Sequence, residues 1–137
     1  MLESDSVRLR HMLDAARESV EFSSGRKRED LETDRVLALA LARCIEIIGE
    51  AGSRVSLQLR TGHPEVPWAD IAGMRNRLVH AYFDVDLGLL CDTIAGDLPP
   101  PIVQLERILS RFLWRDNRDN LRDFRHCGNR YTIEHNP

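Results

Sequence analysis

Apolar residues recur along most of the chain at steps of three and four, the spacing that places side chains on one face of an α-helix. The first such run contains Leu9, Met12, Leu13, Ala16 and Val20. Serine and aspartate at positions 4–6 can act as N-caps of this segment, and Ser23-Ser24-Gly25 ends it. The pattern predicts an amphipathic first helix.

The second run is longer and has apolar residues on two faces. One stripe consists of Leu37, Leu41, Cys44, Ile48, Ala51 and Val55, and the other consists of Val36, Ala40 and Ile47. We predict one helix from about Asp34 to about Leu59. A helix that is apolar on two faces must be covered on two sides. This helix is therefore predicted to be central in a bundle, or to face a partner subunit as well.

Prolines separate the second helix from the third. The stretch TGHPEVPW ends the second run, and Pro67 suits a first helical turn. The third helix is predicted to carry residues 74–86, MRNRLVHAYFDVD, with a break near Phe83. The apolar residues expected to anchor it in the core are Ile71, Met74 and Leu78.

Two further helices are predicted after this break. A short apolar helix spans about Leu87 to Ile94 and stops at Gly96. Asp97 can cap the last helix, whose first turn tolerates Pro99 to Pro101. The coarse fold prediction is an all-α bundle of four or five helices.

The end of the chain differs in composition from the bundle. After Trp114, arginine alternates with aspartate and few residues are suited to a core. We therefore predict a helical bundle at residues 1–114 and a charged C-terminal extension at residues 115–137, helical as far as His126.

The composition narrows the class of protein. A chain of 137 residues fits one domain, and its net charge of -3 argues against a protein that coats duplex nucleic acid. The three cysteines, Cys44, Cys91 and Cys127, are odd in number and widely spaced, which argues against a disulfide framework or a C-x-x-C metal site. No signal peptide or long apolar run is seen, so a cytoplasmic protein without membrane association is expected.

A polar cluster interrupts the apolar pattern of the third helix. On an ideal helix, Arg75 and Tyr82 lie about 20° apart, Asn76 and His80 about 40°, and Arg75 and His80 about 140°. A guanidinium matches phosphate oxygens, and an imidazole transfers protons near neutral pH. Such a set meets the needs of metal-free RNA cleavage by attack of the 2′-hydroxyl, which requires a base and fixed positive charge.

The same polar residues also have purely structural interpretations. Arg75 and Asn76 could form ion pairs and caps with Asp70, Asp84 or Asp86. The carboxylates of Glu46 and Glu50 are spaced i, i+4, which suits acid–base or metal chemistry, a solvated pair, or an ion pair of Glu50 with Arg75 or Arg77. The histidines without metal-ligand spacing, which are expected at the surface, are His63, His126 and His135.

The motif and its surroundings resemble a known family. PWADIAGMRNRLVHAYFDVD, residues 67–86, resembles the signature of the HepT-like branch of the HEPN superfamily, R-x-x-x-x-H-x-Y with Asn usually after the Arg. IGEAGSRVS, residues 48–56, is similar to the I-G-E-A segment of that family. The resemblance covers roughly residues 5–113. The chain departs from it at Cys91, where many relatives have a bulky aromatic residue, and in its longer tail.

This resemblance implies a four- to five-helix HEPN-type up-and-down bundle that forms a homodimer. It also implies an endoribonuclease without metal or cofactor, the toxin of a prokaryotic toxin–antitoxin pair, which cuts single-stranded RNA such as tRNA to leave a 2′,3′-cyclic phosphate. The antitoxin would be an MntA-like nucleotidyltransferase that attaches AMP to Tyr82. Carried over by position, His80 is the acid–base group, Arg75 the phosphate clamp and Asn76 an orienting residue, with Arg77 adding charge at the rim of the cleft.

Two other functions stay open on the sequence. The first is a non-catalytic helical dimer that binds the nucleotidyltransferase and serves as its substrate through Tyr82. The second is a metal-dependent hydrolase that uses Glu46 and Glu50. The remaining polar and apolar candidates have plain structural roles, with Cys44 and Cys91 as core residues and Trp68 packed at the start of its helix.

Overall fold

The computed structural model describes residues 3–81 and 84–119, and within them the side chains of residues 4–78 and 86–112. The helices in this part of the chain are α1 (Glu3–Ser23), α2 (Arg28–Thr33), α3 (Arg35–Ser53), α4 (Leu57–Gly62), α5 (Trp68–Leu78), α6 (Leu87–Asp92) and α7 (Pro99–Asp119). A π-helical turn (Thr93–Asp97) connects α6 with α7, and two short strands, β1 (Val79–Ala81) and β2 (Asp84–Val85), connect α5 with α6. The predicted all-α class is confirmed.

The core lies where the long helices α1, α3, α5 and α7 meet. Its fully buried side chains come from these four helices and their connections, and include Leu9, Met12, Leu41, Ile45, Ile71 and Leu105. The first apolar stripe of α3 is buried as predicted, from Leu37 to Val55. The second stripe is not covered by the described residues, because the Val36 side chain is 78% exposed and Ala40 and Ile47 are only partly buried.

The second predicted helix is divided into α3 and α4. Ser56 starts α4 as its N-cap, and its hydroxyl accepts a hydrogen bond from the backbone N–H of Leu59 at 3.2 Å. Asp5 of α1 is completely buried and accepts from both the backbone N–H of Ser56 at 2.9 Å and its hydroxyl at 2.6 Å. These bonds hold the chain out of helical conformation at Ser56, so one continuous helix to Leu59 was a wrong prediction.

The third predicted helix ends earlier than its apolar pattern indicates. α5 stops at Leu78, and the chain then forms a small antiparallel hairpin in which Val79 pairs with Val85 and Ala81 with Asp84. β-Branched valines favour this extended backbone. Residues 82 and 83, and with them the predicted break at Phe83, lie outside the described part of the chain.

Two smaller boundaries also differ from the sequence prediction. α6 ends at Asp92 and widens into the π-helical turn, which contains Gly96, and Leu98 rather than Asp97 stands directly before α7. α7 begins with the three prolines in its first turn, as predicted. The helix α2 was missed, since only its Leu31 is buried and a single apolar residue produces no periodicity.

α5 packs closely against α3 in the antiparallel direction. A β-carbon added at Gly52 would lie 2.9 Å from Cγ2 of Ile71, and one added at Gly49 would lie 3.3 Å from the Ile71 carbonyl oxygen and 3.7 Å from Cβ of Arg75. Residues later in α5 therefore contact residues earlier in α3. The C-terminal end of α5, and the hairpin that follows, point toward the N-terminal end of α3.

Candidate functional site

Arg75 lies in the last turn of α5 and reaches toward α3. Its Nη2 is 3.4 Å from Oε1 of Glu46, and 55% of its side chain is exposed to solvent. The other carboxylate oxygen of Glu46, Oε2, is 3.1 Å from Nη1 of Arg43. One carboxylate thus lies between two exposed guanidinium groups, which limits the positions that the Arg75 side chain adopts and leaves its outer N–H groups open to a ligand.

An ion pair of Glu50 with Arg75 or Arg77 was one of the open interpretations, and the structure pairs Glu50 with another arginine. Glu50 Oε1 is 3.1 Å from Nη2 of Arg54, one turn further along the same helix. Gly49 faces α5, and antiparallel packing places Arg75 on the N-terminal side of that contact, where Glu46 lies. The sequence does not distinguish Glu46 from Glu50 as the partner of Arg75, because both carboxylates lie on α3 one turn apart. Only the antiparallel direction of α5 against α3 identifies Glu46.

The neighbours of Arg75 are exposed as well. The Asn76 side chain is solvent-exposed, and Nη2 of Arg77 donates to the backbone carbonyl oxygen of Asp70 at 2.9 Å. Arg77 is therefore bound to its own helix through a carbonyl, not through the Asp70 carboxylate. Two arginines in the last turn interact favourably with the negative end of the helix dipole. The buried side of the same helix is formed by Ile71, Met74 and Leu78, as predicted.

His80 lies on β1, beyond the end of the helix. The angular separations expected for one continuous helix, including the 40° between Asn76 and His80, are therefore wrong. Because α5 stops at Leu78, the backbone of His80 belongs to the hairpin, at the irregularity in register between Val79 and Ala81. The His80 side chain and the whole of Tyr82 lie outside the described residues.

The remaining sequence candidates have structural roles. Trp68 is buried and its Nε1 donates to the carbonyl oxygen of His63 at 2.9 Å, as expected of a residue packed at a helix start. Nδ1 of His63 is 3.2 Å from Oε1 of Glu65. Cys44 is buried in the core, and burial raises the pKa of its thiol, which keeps the sulfur protonated and unreactive. Cys91 is partly buried against the core.

The described residues offer neither a metal site nor a membrane span. Among them, no group of three or more His, Cys, Asp and Glu side chains is arranged to hold a metal ion, and Glu46 and Glu50 are each paired with arginine. In the same part of the chain, no helix is long and apolar enough to cross a membrane.

Comparison with known proteins agrees with the motif. A family model described as "Ribonuclease HepT-like" matches residues 12–108, which include the segment from Arg75 to Tyr82. The chain is 38% identical over 103 residues to a "Putative RNase" of Caldanaerobacter subterraneus, a match that covers 75% of this chain and 92% of that protein. No solved structure matches the present chain.

Archaeal proteins show the same similarity. A "Probable ribonuclease HepT" of Thermococcus cleftensis is 42% identical over 71 residues, which cover 52% of this chain and 64% of that protein. A "Putative RNase" of Methanocaldococcus jannaschii is 29% identical over 97 residues, covering 71% of this chain and 80% of that protein. With a family match over most of its helical bundle, the chain belongs to the HepT-like ribonuclease family of the HEPN superfamily.

Proposed function

We propose that this protein is a metal-independent endoribonuclease that cuts single-stranded RNA, with tRNA as one candidate substrate. The observation that carries the proposal is the Arg75 side chain. It is exposed and held by Glu46 in the last turn of the helix that leads into the strand of His80. Both elements lie within the residues that the HepT-like ribonuclease family model matches, which supports the proposal.

The reaction proceeds by internal attack and needs no external nucleophile. His80 accepts the proton of the 2′-hydroxyl, and the 2′-oxygen forms a bond to phosphorus as the bond from phosphorus to the 5′-oxygen breaks. The 5′-oxygen receives a proton, and a 2′,3′-cyclic phosphate remains. Arg75 binds the phosphate oxygens as negative charge develops on them, Asn76 orients the phosphate, and Arg77 adds positive charge at the rim.

The proposal includes a biological setting, a toxin–antitoxin pair in the cytoplasm. The toxin is a homodimer, and the uncovered apolar residues Val36, Leu39 and Ile47 on α3 supply a surface for a second copy. The antitoxin is an MntA-like nucleotidyltransferase that attaches AMP to Tyr82. An added nucleotide places bulk and negative charge where the substrate phosphate binds, which blocks the site.

Replacing Glu46 with glutamine tests the role of the carboxylate as a positioning residue. We expect kcat for RNA cleavage to fall about threefold, in the range of an exposed ion pair, because the Arg75 guanidinium loses its anchor. RNA affinity is not expected to weaken, because the change removes a negative charge beside the phosphate site. The measurement is single-turnover cleavage at several enzyme concentrations, which separates kcat from KM.

The matched control is Glu50→Gln, which removes the same charge one turn along α3 from a carboxylate paired with Arg54. Cleavage by this variant should equal that of the wild type. An equal loss in both variants would contradict the positioning role of Glu46, and absence of RNA cleavage by the wild-type protein would overturn the proposed ribonuclease itself.

Modification of Tyr82 is tested by mass spectrometry. After incubation with ATP and the cognate nucleotidyltransferase, we expect the wild-type mass to rise by one or more AMP units and its cleavage activity to disappear. Tyr82→Phe should gain no mass. Tyr131→Phe, the control, removes the second of the two tyrosines and should be modified as the wild type is.

Two results of this experiment would contradict parts of the proposal. A Tyr82→Phe protein that gains the same mass would show that the modified residue is another one. A wild-type protein that is modified but never cleaves RNA would favour the alternative function, a non-catalytic dimer that is only the substrate of its partner.

A further inference from the structure

A cavity of about 490 Å³ lies between the connection from α1 to α2 and the region of α6 and the π-helical turn. Its walls are largely apolar and include Val20, Leu31, Ile94, Ala95 and Pro99. Three consecutive cations line its rim, Arg26, Lys27 and Arg28. The cavity is thus an apolar recess with a positive edge, and neither Arg75 nor Asn76 is part of it.

One of the three cations is already neutralised by the protein. Nη2 of Arg26 is 2.7 Å from Oδ2 of Asp34, and its Nε is 3.8 Å from Oδ2 of Asp30. The backbone N–H of Leu37 and the Arg26 guanidinium lower the pKa of Asp34, which keeps this partner ionised. Lys27 and Arg28 form no ion pair with a described residue, although Oδ1 of Asp86 lies near the Arg28 guanidinium, beside Gly88.

The Arg28 guanidinium reaches from α2 to the start of α6. The Gly88 backbone lies so close to Nη2 of Arg28 that a β-carbon there would displace the end of the flexible Arg28 side chain. Gly88 is the second residue of α6, which begins two residues after β2 ends. Arg28 therefore lies beside the segment that leaves the hairpin of His80.

The direction of α5 brings the two regions onto one side of the molecule. The hairpin points toward the N-terminal end of α3, and α2 is joined to that same end through Asp34. Between Arg35 and Glu46, α3 rises about 17 Å at about 1.5 Å per residue. A few nucleotides of single-stranded RNA can span a length of this order.

We propose that the cavity and its rim form a second contact with the RNA substrate. Lys27 and Arg28 bind phosphates of the strand a few nucleotides from the scissile bond, and one nucleobase enters the apolar recess. The volume lies within the range of small-ligand sites, and an apolar surface accepts any base by stacking or burial. An RNA strand supplies both phosphates for the two cations and a base for the apolar recess, which favours it over a purely anionic partner. The inference rests on the proposed ribonuclease function.

Fluorescence anisotropy with a labelled oligouridylate of about twelve nucleotides tests this contact, in a His80→Ala background that prevents cleavage. We expect Lys27→Ala and Arg28→Ala each to weaken binding about fivefold and to reduce the slope of log K against log salt by about 0.7, the loss of one phosphate contact on a single strand. Arg10→Ala is the control, since it removes one exposed positive charge from the groove between α1 and α7. That variant should bind RNA as the parent does.

Crosslinking of the same probe with 4-thiouridine in place of uridine locates the contact directly. We expect crosslinked peptides from residues 20–31 or 91–99. If the parent protein binds RNA, equal affinity of all three variants together with crosslinks confined to other regions overturns the second contact and leaves the ribonuclease intact. A wild-type protein that neither binds nor cleaves RNA overturns both proposals.

Discussion

Replacing His80 with alanine is expected to reduce RNA cleavage by about a thousandfold, within the range attributed to one general acid–base group. The imidazole is the group of the motif that accepts and donates a proton near neutral pH. Cleavage of a labelled RNA under single-turnover conditions measures the loss. RNA binding by the His80→Ala protein should change little, because Arg75 and Arg77 are retained.

The matched control for this variant is His63→Gln. Its side chain is paired with Glu65, and its backbone carbonyl, which accepts the hydrogen bond of Trp68, is kept. Cleavage by this variant should equal that of the wild type, and an excess of chelator should leave the wild-type activity unchanged. Equal activity of His80→Ala and the wild type, or loss of activity with the chelator, would refute the mechanism.

The largest effect on stability is expected from Asp5→Ala, with a loss of about 3 kcal/mol in the free energy of unfolding. The Asp5 carboxylate is fully buried and is the acceptor for two donors of Ser56, so its removal leaves the backbone N–H and the hydroxyl without this acceptor. The N-cap of α4 weakens in the same step. For a chain of this length the loss corresponds to a fall of about 10 °C in the melting temperature, measured by circular dichroism.

Two comparisons separate this explanation from a general effect of mutating α1. Asp14→Ala removes an exposed carboxylate of the same helix and should change stability by less than about 0.5 kcal/mol. The double variant Asp5→Ala with Ser56→Ala should be less destabilised than the sum of the single variants, because both remove the same contact. Additive effects would show that Asp5 acts through something other than Ser56.

Most of the fold could be predicted from periodicity. The buried stripe from Leu37 to Val55 and the buried face of α5 follow the 3.6-residue repeat, and the structure buries both. The predicted ends of helices were less accurate where a residue distant in sequence determines the end. Asp5, fifty-one positions away, ends α3 before Ser56, and no pattern within residues 34–59 indicates it.

The sequence pointed to the family of the protein but not to the geometry of the motif. The spacing of Arg75, Asn76, His80 and Tyr82 pointed to the family that the comparisons then showed. The periodicity extended α5 through His80, since Leu78 and Val79 suit a helix as well as a strand. The pairing of Val79 with Val85 is a contact between two segments, and it ended the helix at Leu78.

The sequence of neighbouring residues was enough to specify the helical class and the apolar faces of the helices, because both depend on the helical repeat. It also identifies the chemical groups of the motif. Packing between distant segments decided the rest. The antiparallel approach of α5 to α3 at Gly49 selected Glu46 over Glu50 as the partner of Arg75. The approach of α2 to Gly88 brought Arg28 beside the hairpin, since only the folded chain joins positions sixty residues apart.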